Sequence, residues 1–316
     1  MFTWKKLGLV FDPRNYPRDW MQSHAQCTST LIFDDFVRVY FSCRPAPVNG
    51  QYLSYTAFCD LDRKNLTRVV RVANKPVMQL GELGAFDQHG IYPTCVMRLH
   101  REETALYYAG WSRCASTPFT VSIGLAFGDG YGETFTRLGQ GPVLTHSLYE
   151  PFVVSGPKVR IFNGQWYMYY LAVERWEMYD GRAEAVYKIR MAFSVDGIEW
   201  RRSERNIIED DLIEAECQAG PDVFFRDNIY HMYFSYRYAF DFRGNERGYH
   251  IGYAWSDDAI HWVRNDRQAG IGLSEAGWDS QMQHYPHVFE VDGVTYMLYN
   301  GNDFGRFGFG LAREEA

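Results

Sequence analysis

The sequence predicts an all-β fold, a five-bladed β-propeller with four antiparallel strands per blade, and three observations carry that prediction. Pro93, Pro157, Pro221 and Pro286 stand 64, 64 and 65 residues apart, and each opens the same run of apolar strand, polar turn and aromatic strand. Aromatic residues make up 17% of the 316 residues, with 23 Tyr and 22 Phe spread along the whole length, and such side chains favour pleated surfaces over helices. No window sustains the i, i+3, i+4, i+7 apolar spacing of an amphipathic helix. A four-stranded unit repeated five times closes into a ring and so protects its strand edges.

The elements follow in order. Stepping back 65 residues from Pro93 reaches Thr28, which opens the first copy without a proline: Thr30-Leu-Ile-Phe, a turn at Asp34-Asp35, then Val37-Arg-Val-Tyr-Phe-Ser. The second copy follows Pro93. The third reads Val159-Arg-Ile-Phe, Asn163-Gly164, Trp166-Tyr-Met-Tyr-Tyr, and the fourth Val223-Phe-Phe, Arg226-Asp-Asn, Tyr230-His-Met-Tyr-Phe-Ser. The fifth gives Val288-Phe-Glu, Val291-Asp-Gly, Thr295-Tyr-Met-Leu-Tyr. Asn-Gly and Asp-Gly between alternating apolar runs signal tight hairpins, because both turn positions need positive φ. A second hairpin follows: Ile123 to Phe127 before Asp129-Gly130, Ile189 to Ser194 before Asp196-Gly197, and Ile251 to Ser256 before Asp257-Asp258. The fifth copy has one strand left after Asn300, Phe307 to Leu311, so its outer strand is expected from the N-terminal segment Trp4 to Phe11. No linker-like tract divides the chain, and residues 1–316 read as a single domain.

Composition excludes several classes of partner. A net charge of −7 argues against nucleic acid, which demands a basic face. No apolar run approaches the ~18–20 residues of a membrane span, and the N-terminus lacks a signal-peptide core, so a cytoplasmic protein without membrane insertion is expected. The six cysteines lack Cys-x-x-Cys spacing and read as buried thiols, not as a metal site or disulfides. Neither a metal nor another cofactor is expected, and the oligomeric state is not legible.

The segments entering each copy and the ends of the second strands should meet at one mouth of the ring. Four acidic residues from different copies, Asp87, Glu150, Glu216 and Asp279, fall in or beside the entry segments, with His24, His89 and His284. Arg44, Arg113, Arg175 and Arg237 end second strands, as does Asn302 in the last copy. Carboxylates facing each other across a funnel suit glycosidic-bond cleavage, one protonating the leaving oxygen while the other activates water or attacks carbon. Glu216 is expected as general acid and Asp87 as base or nucleophile, with Asp279 and Glu150 as further candidates. Arg44, Arg113, Arg175, Arg237, His24, His89, His284 and Asn302 are expected to bind substrate, the cations suiting an anionic group. Trp111, Trp176, Tyr238 and Trp278 could serve as sugar-stacking platforms or as packing between blades.

The chain resembles the five-bladed propeller glycosidases of glycoside hydrolase families 43, 32, 117 and 130. The resemblance rests on Gly84 to Pro93, Glu216-Cys-Gln-Ala-Gly-Pro-Asp-Val-Phe224, Tyr230 to Arg237 and the closing stretches Gly277-Trp-Asp, Tyr296 to Asn302 and Gly308 to Ala312. These closing stretches look like proteins labelled glycosyl hydrolase in bacterial surface-polysaccharide gene clusters. The resemblance implies a carbohydrate partner and cleavage by hydrolysis, or by phosphorolysis if the Arg groups hold phosphate. It also implies carboxylates that are missing. Family 43 carries an Asp before the first anchor, another before the third and a Glu two residues before the fourth, where this chain has Cys27, Gly156 and Ala219. The alternative is therefore a non-catalytic carbohydrate-binding or polysaccharide-assembly protein that keeps the fold without the acid/base pair.

Overall fold

The computed structural model describes residues 2–243 and 246–315. Five four-stranded antiparallel sheets form the ring. Blade 1 comprises β2 (Ser23–Ile32), β3 (Phe36–Arg44), β4 (Tyr55–Asp62) and β5 (Asn65–Val72) from the axis outward; blade 2 comprises β6 (Gly90–His100), β7 (Glu103–Ser112), β8 (Thr120–Asp129) and β9 (Phe135–Arg137). Blade 3 holds β10 (Val154–Phe162), β11 (Gln165–Tyr179), β12 (Arg182–Ser194) and β13 (Arg201–Arg202), and blade 4 holds β14 (Glu216–Arg226), β15 (Ile229–Tyr238), β16 (His250–Ser256) and β17 (Val263–Arg264). Blade 5 is β18 (His284–Val291), β19 (Val294–Asn300), β20 (Phe309–Glu314) and, outermost, β1 (Trp4–Phe11). The N-terminal strand thus closes the ring as its sequence predicts, pairing Trp4 with Glu314 and Phe11 with Phe309.

The turns behave as their residues dictate. Asn163 and Gly164 take φ of 51° and 79°, and Asp292 and Gly293 take 52° and 75°, the positive values a two-residue hairpin needs. The outer strands of blades 3 and 4 are only two residues long; there Trp200 and Trp262 turn inward against Tyr107 and Tyr169 of the preceding blades.

Each anchor proline sits where a strand can tolerate it. Every inner strand carries a register shift at this point, and a bulge needs no ladder hydrogen bond from the proline nitrogen. The residue before the anchor has positive φ in four blades: Cys27, Gly156, Gly220 and Tyr285.

Apolar cores fill the gaps between successive blades. Phe41 of blade 1 meets Phe11 and Phe309 of blade 5, whereas Tyr40 on the opposite face meets Phe135 of blade 2. Period-two alternation places successive residues of the second strand in different gaps. Polar side chains lace the same seams. Tyr40, Tyr107 and Tyr169 donate to the carbonyls of Gly132, Gly197 and Ala259 in the next blade, at 2.6, 2.8 and 2.9 Å. Nearer the axis, Ser29 accepts from the Val96 amide, Cys95 Sγ from that of Val159, Asp222 from that of Val288 and His287 Nε2 from that of Thr30. Blade 3 supplies Lys158 at the corresponding place, and an ammonium cannot accept.

Candidate functional site

The first residues of the inner strands and the loops joining second to third strands surround a cavity of about 930 Å³ on the axis. Its walls combine aromatic faces, among them Tyr92, Trp111, Trp176 and Tyr249, with the cationic side chains Arg44, Arg113, Lys158, Arg182, Arg237 and Arg243. The sole carboxylate among the lining residues is Glu184, and Arg243 occupies both its oxygens at 2.5 and 3.3 Å.

Arg237 is 4% exposed and has no carboxylate partner among the described residues. It lies 3.4 Å from the Phe242 ring centroid, donates to Tyr187 Oη at 2.8 Å and to the carbonyls of Tyr238 and Ala239, and keeps Nε unpartnered. Tyr187 Oη also bonds Tyr249 Oη, and burial pushes the Tyr187 phenol well above its ordinary range. Arg44 faces Gln26 and Tyr92 Oη at 3.4 and 3.3 Å, and its Nε is likewise unpartnered. Arg113 donates to the Tyr52 carbonyl at 2.7 Å. Arg44, Arg113 and Arg237 are thus three predicted ligand-binding residues that the fold does bring together.

The four predicted catalytic carboxylates are not brought together, and none lines the cavity. Each is spent within its own blade. Asp87 accepts from Tyr108 Oη at 3.1 Å and from Arg137 of β9 at 2.8 Å. Glu150 accepts from Tyr170 Oη at 2.8 Å and is flanked by Arg190 and Arg202, the latter just past the first residue of β13. Asp279 accepts from Tyr299 Oη at 3.1 Å and pairs with Lys6 of β1 at 2.9 Å. These three form one repeated clamp in which a carboxylate of the entry segment joins a second-strand tyrosine to an outer-strand cation. The carboxylates push all three phenols upward after burial has already done so. In blade 4 the tyrosine is replaced by Phe234, and Glu216 is held by Gln218, by Arg264 of β17 at 2.7 Å and by the amides of Asp211 and Leu212. The expectation that entry-segment carboxylates point into the funnel is therefore corrected: they point into the blades, to neutralise outer-strand cations.

The remaining predicted binders also lie off the cavity surface. His24 is 7% exposed and bonds Ser23, and burial next to Arg44 and Arg306 pushes its imidazole down to about 3. His89 stacks on Trp111 behind the wall. His284 is fully buried beneath Tyr249, and burial lowers it to about 3. Arg175 is exposed and pairs with Glu177. Asn302 accepts from the amides of Gln281 and Met282 and so shapes its own loop. Of the four aromatic candidates, Trp111 and Trp176 line the cavity, whereas Trp278 stacks on Tyr299 and Tyr238 lies under Arg247.

Sequence reading missed Lys158, Arg182, Glu184, Tyr187, Phe242, Arg243 and Tyr249. One signal was present: the residue after each anchor is polar, namely Ser29, Thr94, Lys158, Asp222 and His287, although an apolar strand follows. Cys27, Gly156 and Ala219, at the positions where the resemblance to family 43 implies carboxylates, all line the cavity. Among the described residues no cluster of three or more His, Cys, Asp or Glu is arranged to hold a metal. All six cysteines are free; Cys43, Cys59, Cys95 and Cys217 are buried, but Cys114 is exposed.

Solved structures of similar shape include glycoside hydrolases. One glycoside hydrolase superposes with a TM-score of 0.76 at 16% identity, covering 98% of this chain and 91% of the other. A thermostable family-43 glycoside hydrolase gives 0.66 at 14%, covering 93% and 89%. A member of family 130, described as mannoside phosphorylases that include hydrolases of β-1,2 mannosidic linkages, gives 0.71 at 12%, covering 99% and 93%. These likenesses show a shared five-bladed β-propeller fold. No protein-family model matches the chain. It is 32% identical over 311 residues, 98% of both chains, to the uncharacterised Mycobacterium tuberculosis protein Rv1502 of strain H37Rv, and equally to MT1551 of strain CDC 1551. The chain belongs to the family of these mycobacterial proteins.

Proposed function

We infer that the protein recognises a carbohydrate bearing an anionic group in the axial cavity, as a glycosidase-like propeller that does not cleave through a carboxylate pair. The charge imbalance of the wall carries this reading. Arg44, Arg113, Arg182 and Arg237 have no carboxylate partner among the described residues, and the one lining carboxylate is already bound to Arg243. Arg237 is the buried one of the four, and leaving a buried charge uncompensated is costly, so a cavity built this way favours a ligand that supplies the missing negative charge. Trp111 and Trp176 supply apolar faces suited to a sugar ring. Hydrolysis by either stereochemical route calls for two carboxyl groups across the bond, and the positions where the resemblance puts them hold Cys27, Gly156 and Ala219.

A second reading, phosphorolysis, is favoured by one observation. Phosphate attacks without a base to activate water, so a wall with several cations and one carboxylate, Glu184, suits it better than hydrolysis. Calorimetric titration of uronate-, sulfate- or phosphate-bearing oligosaccharides against their neutral parents tests the first reading. We expect the anionic member of a pair to bind at least about tenfold more tightly, and Arg237→Gln to lose that margin. Equal affinity for both members, or none for either, overturns it. Product release that requires added phosphate and is lost in Glu184→Gln would instead establish the second.

A further inference from the structure

In the ring of inter-blade bonds near the axis, one of the five positions is chemically out of place. Ser29, Cys95, Asp222 and His287 each accept the backbone amide of the next blade, and none of them lines the cavity. Lys158 occupies the fifth place, is 5% exposed and does line it.

Its neighbours leave its protons unsatisfied. The His287 ring approaches Lys158 Nζ with Nδ1 at 3.2 Å, which would suit a hydrogen bond only if Nδ1 were an acceptor. It is not. The Thr30 amide, an obligatory donor, points at Nε2 from 3.1 Å, so Nε2 carries the lone pair and Nδ1 carries the proton. That proton goes to Asp222 Oδ2 at 2.8 Å. Asp222 takes the Val288 amide on Oδ2 at 2.6 Å and Arg160 on Oδ1 at 2.5 Å, and Lys158 stands 3.8 Å from Oδ1, close enough to pair its charge but too far for a hydrogen bond. The ammonium therefore brings three donors and meets, among the described residues, no acceptor within hydrogen-bonding distance that is free to receive one. Thr28, from the inner strand of blade 1, also lines the cavity; it is 3% exposed and its Oγ1 has no partner.

We propose that Lys158 and Thr28 build a subsite for an oxyanion, the carboxylate, sulfate or phosphate carried by the bound sugar, so that the ligand enters with its charged substituent first. A carboxylate or ester oxygen accepts from both groups, which completes the fifth position of the ring with a ligand atom in place of a main-chain amide. The subsite rests on the recognition reading above and assigns the anionic group to one end of the cavity.

The test compares wild type with Lys158→Met and Thr28→Val by calorimetry and thermal shift. Arg68→Gln, in an exposed pair far out on blade 1, is the control. The probes are glucose, glucuronate, glucose 6-phosphate and inorganic phosphate. The expected result is binding of an anionic probe that Lys158→Met weakens at least tenfold, Thr28→Val weakens severalfold and Arg68→Gln leaves unchanged. Binding of a sugar-borne anion alone identifies the sugar as the carrier; equal Lys158-dependent binding of inorganic phosphate supports the subsite with a free anion as its occupant. Anionic sugars that bind wild type and Lys158→Met equally overturn the subsite while leaving the recognition reading standing. No binding of any anionic sugar, here or in the oligosaccharide titrations, overturns both. Circular dichroism checks each variant, and Thr28→Val, which keeps its volume, still decides the matter if Lys158→Met does not fold.

Discussion

At Glu150, Asp87 and Asp279 the same bargain is struck: a buried carboxylate is tolerated because a tyrosine and a cation are buried with it. Removing the charge from such a group strands its partners, a loss of about 3–5 kcal/mol for a buried pair. Glu150→Gln should accordingly lower stability by several kcal/mol in chemical denaturation while leaving affinity for an anionic sugar unaltered, since Glu150 does not line the cavity. An unchanged unfolding midpoint with lost binding would return Glu150 to the site. Residue chemistry alone cannot separate these cases. Asp87 and Glu184 are both acidic and both buried, and only the direction of the side chain decides which one meets ligand. Arg44, Arg113 and Arg237 were legible because they end second strands, where the fold itself aims them; Lys158 and Glu184 lie within strands, where a one-residue difference in register reverses the face.

Among the elements, legibility was high wherever a turn needs particular residues, as at Asn163-Gly164 and Asp292-Gly293, and wherever the anchor proline marks a bulge. It was lower for the outer strands β13 and β17, whose places are partly taken by inward-turned tryptophans. The long hairpin of β11 and β12, which brings Arg182 and Glu184 to the wall, interrupts the otherwise regular repeat and follows no rule set by its period. β1 is the element on which ring closure depends. It buries Trp4 and Phe11, and Trp4 Nε1 donates to Tyr233 Oη of blade 4 at 3.0 Å. Deleting residues 2–11 should expose β20 as an unpaired edge and abolish cooperative unfolding, followed by near-ultraviolet circular dichroism, and a peptide of that sequence added in trans should restore it. A truncated chain that unfolds with the wild-type midpoint would show that blade 5 does not need its outer strand.

For the whole molecule, the buried histidines make stability a function of pH. Burial, the main cause in each, pushes His24 and His284 down to about 3 and His287 to about 4, against an ordinary value of 6.5. The folded protein keeps them neutral where the unfolded chain takes up protons, so the unfolded state binds more protons and stability falls as pH drops from about 6.5 towards 4. With up to three protons involved, the slope reaches at most about 4 kcal/mol per pH unit near its steepest. The melting temperature should therefore fall through this window, and a flat profile from pH 6.5 to 4.5 would contradict the burial of these rings. Lowered carboxyls such as that of Glu314, held by Arg226, act in the same direction.

Ring closure by β1 also sets a clock. β1 pairs with β20, so on a ribosome β1 must wait while the roughly 300 residues between them are made, about 15–60 s at ordinary elongation rates. During that interval the apolar faces of Trp4 and Phe11 have no partner sheet, and blade 1 borders on nothing at its fifth-blade side, where Phe41 will later meet Phe309. A nascent chain of this protein thus stays adhesive until β20 emerges, and the closing step is a race between the arrival of that strand and capture by a neighbour.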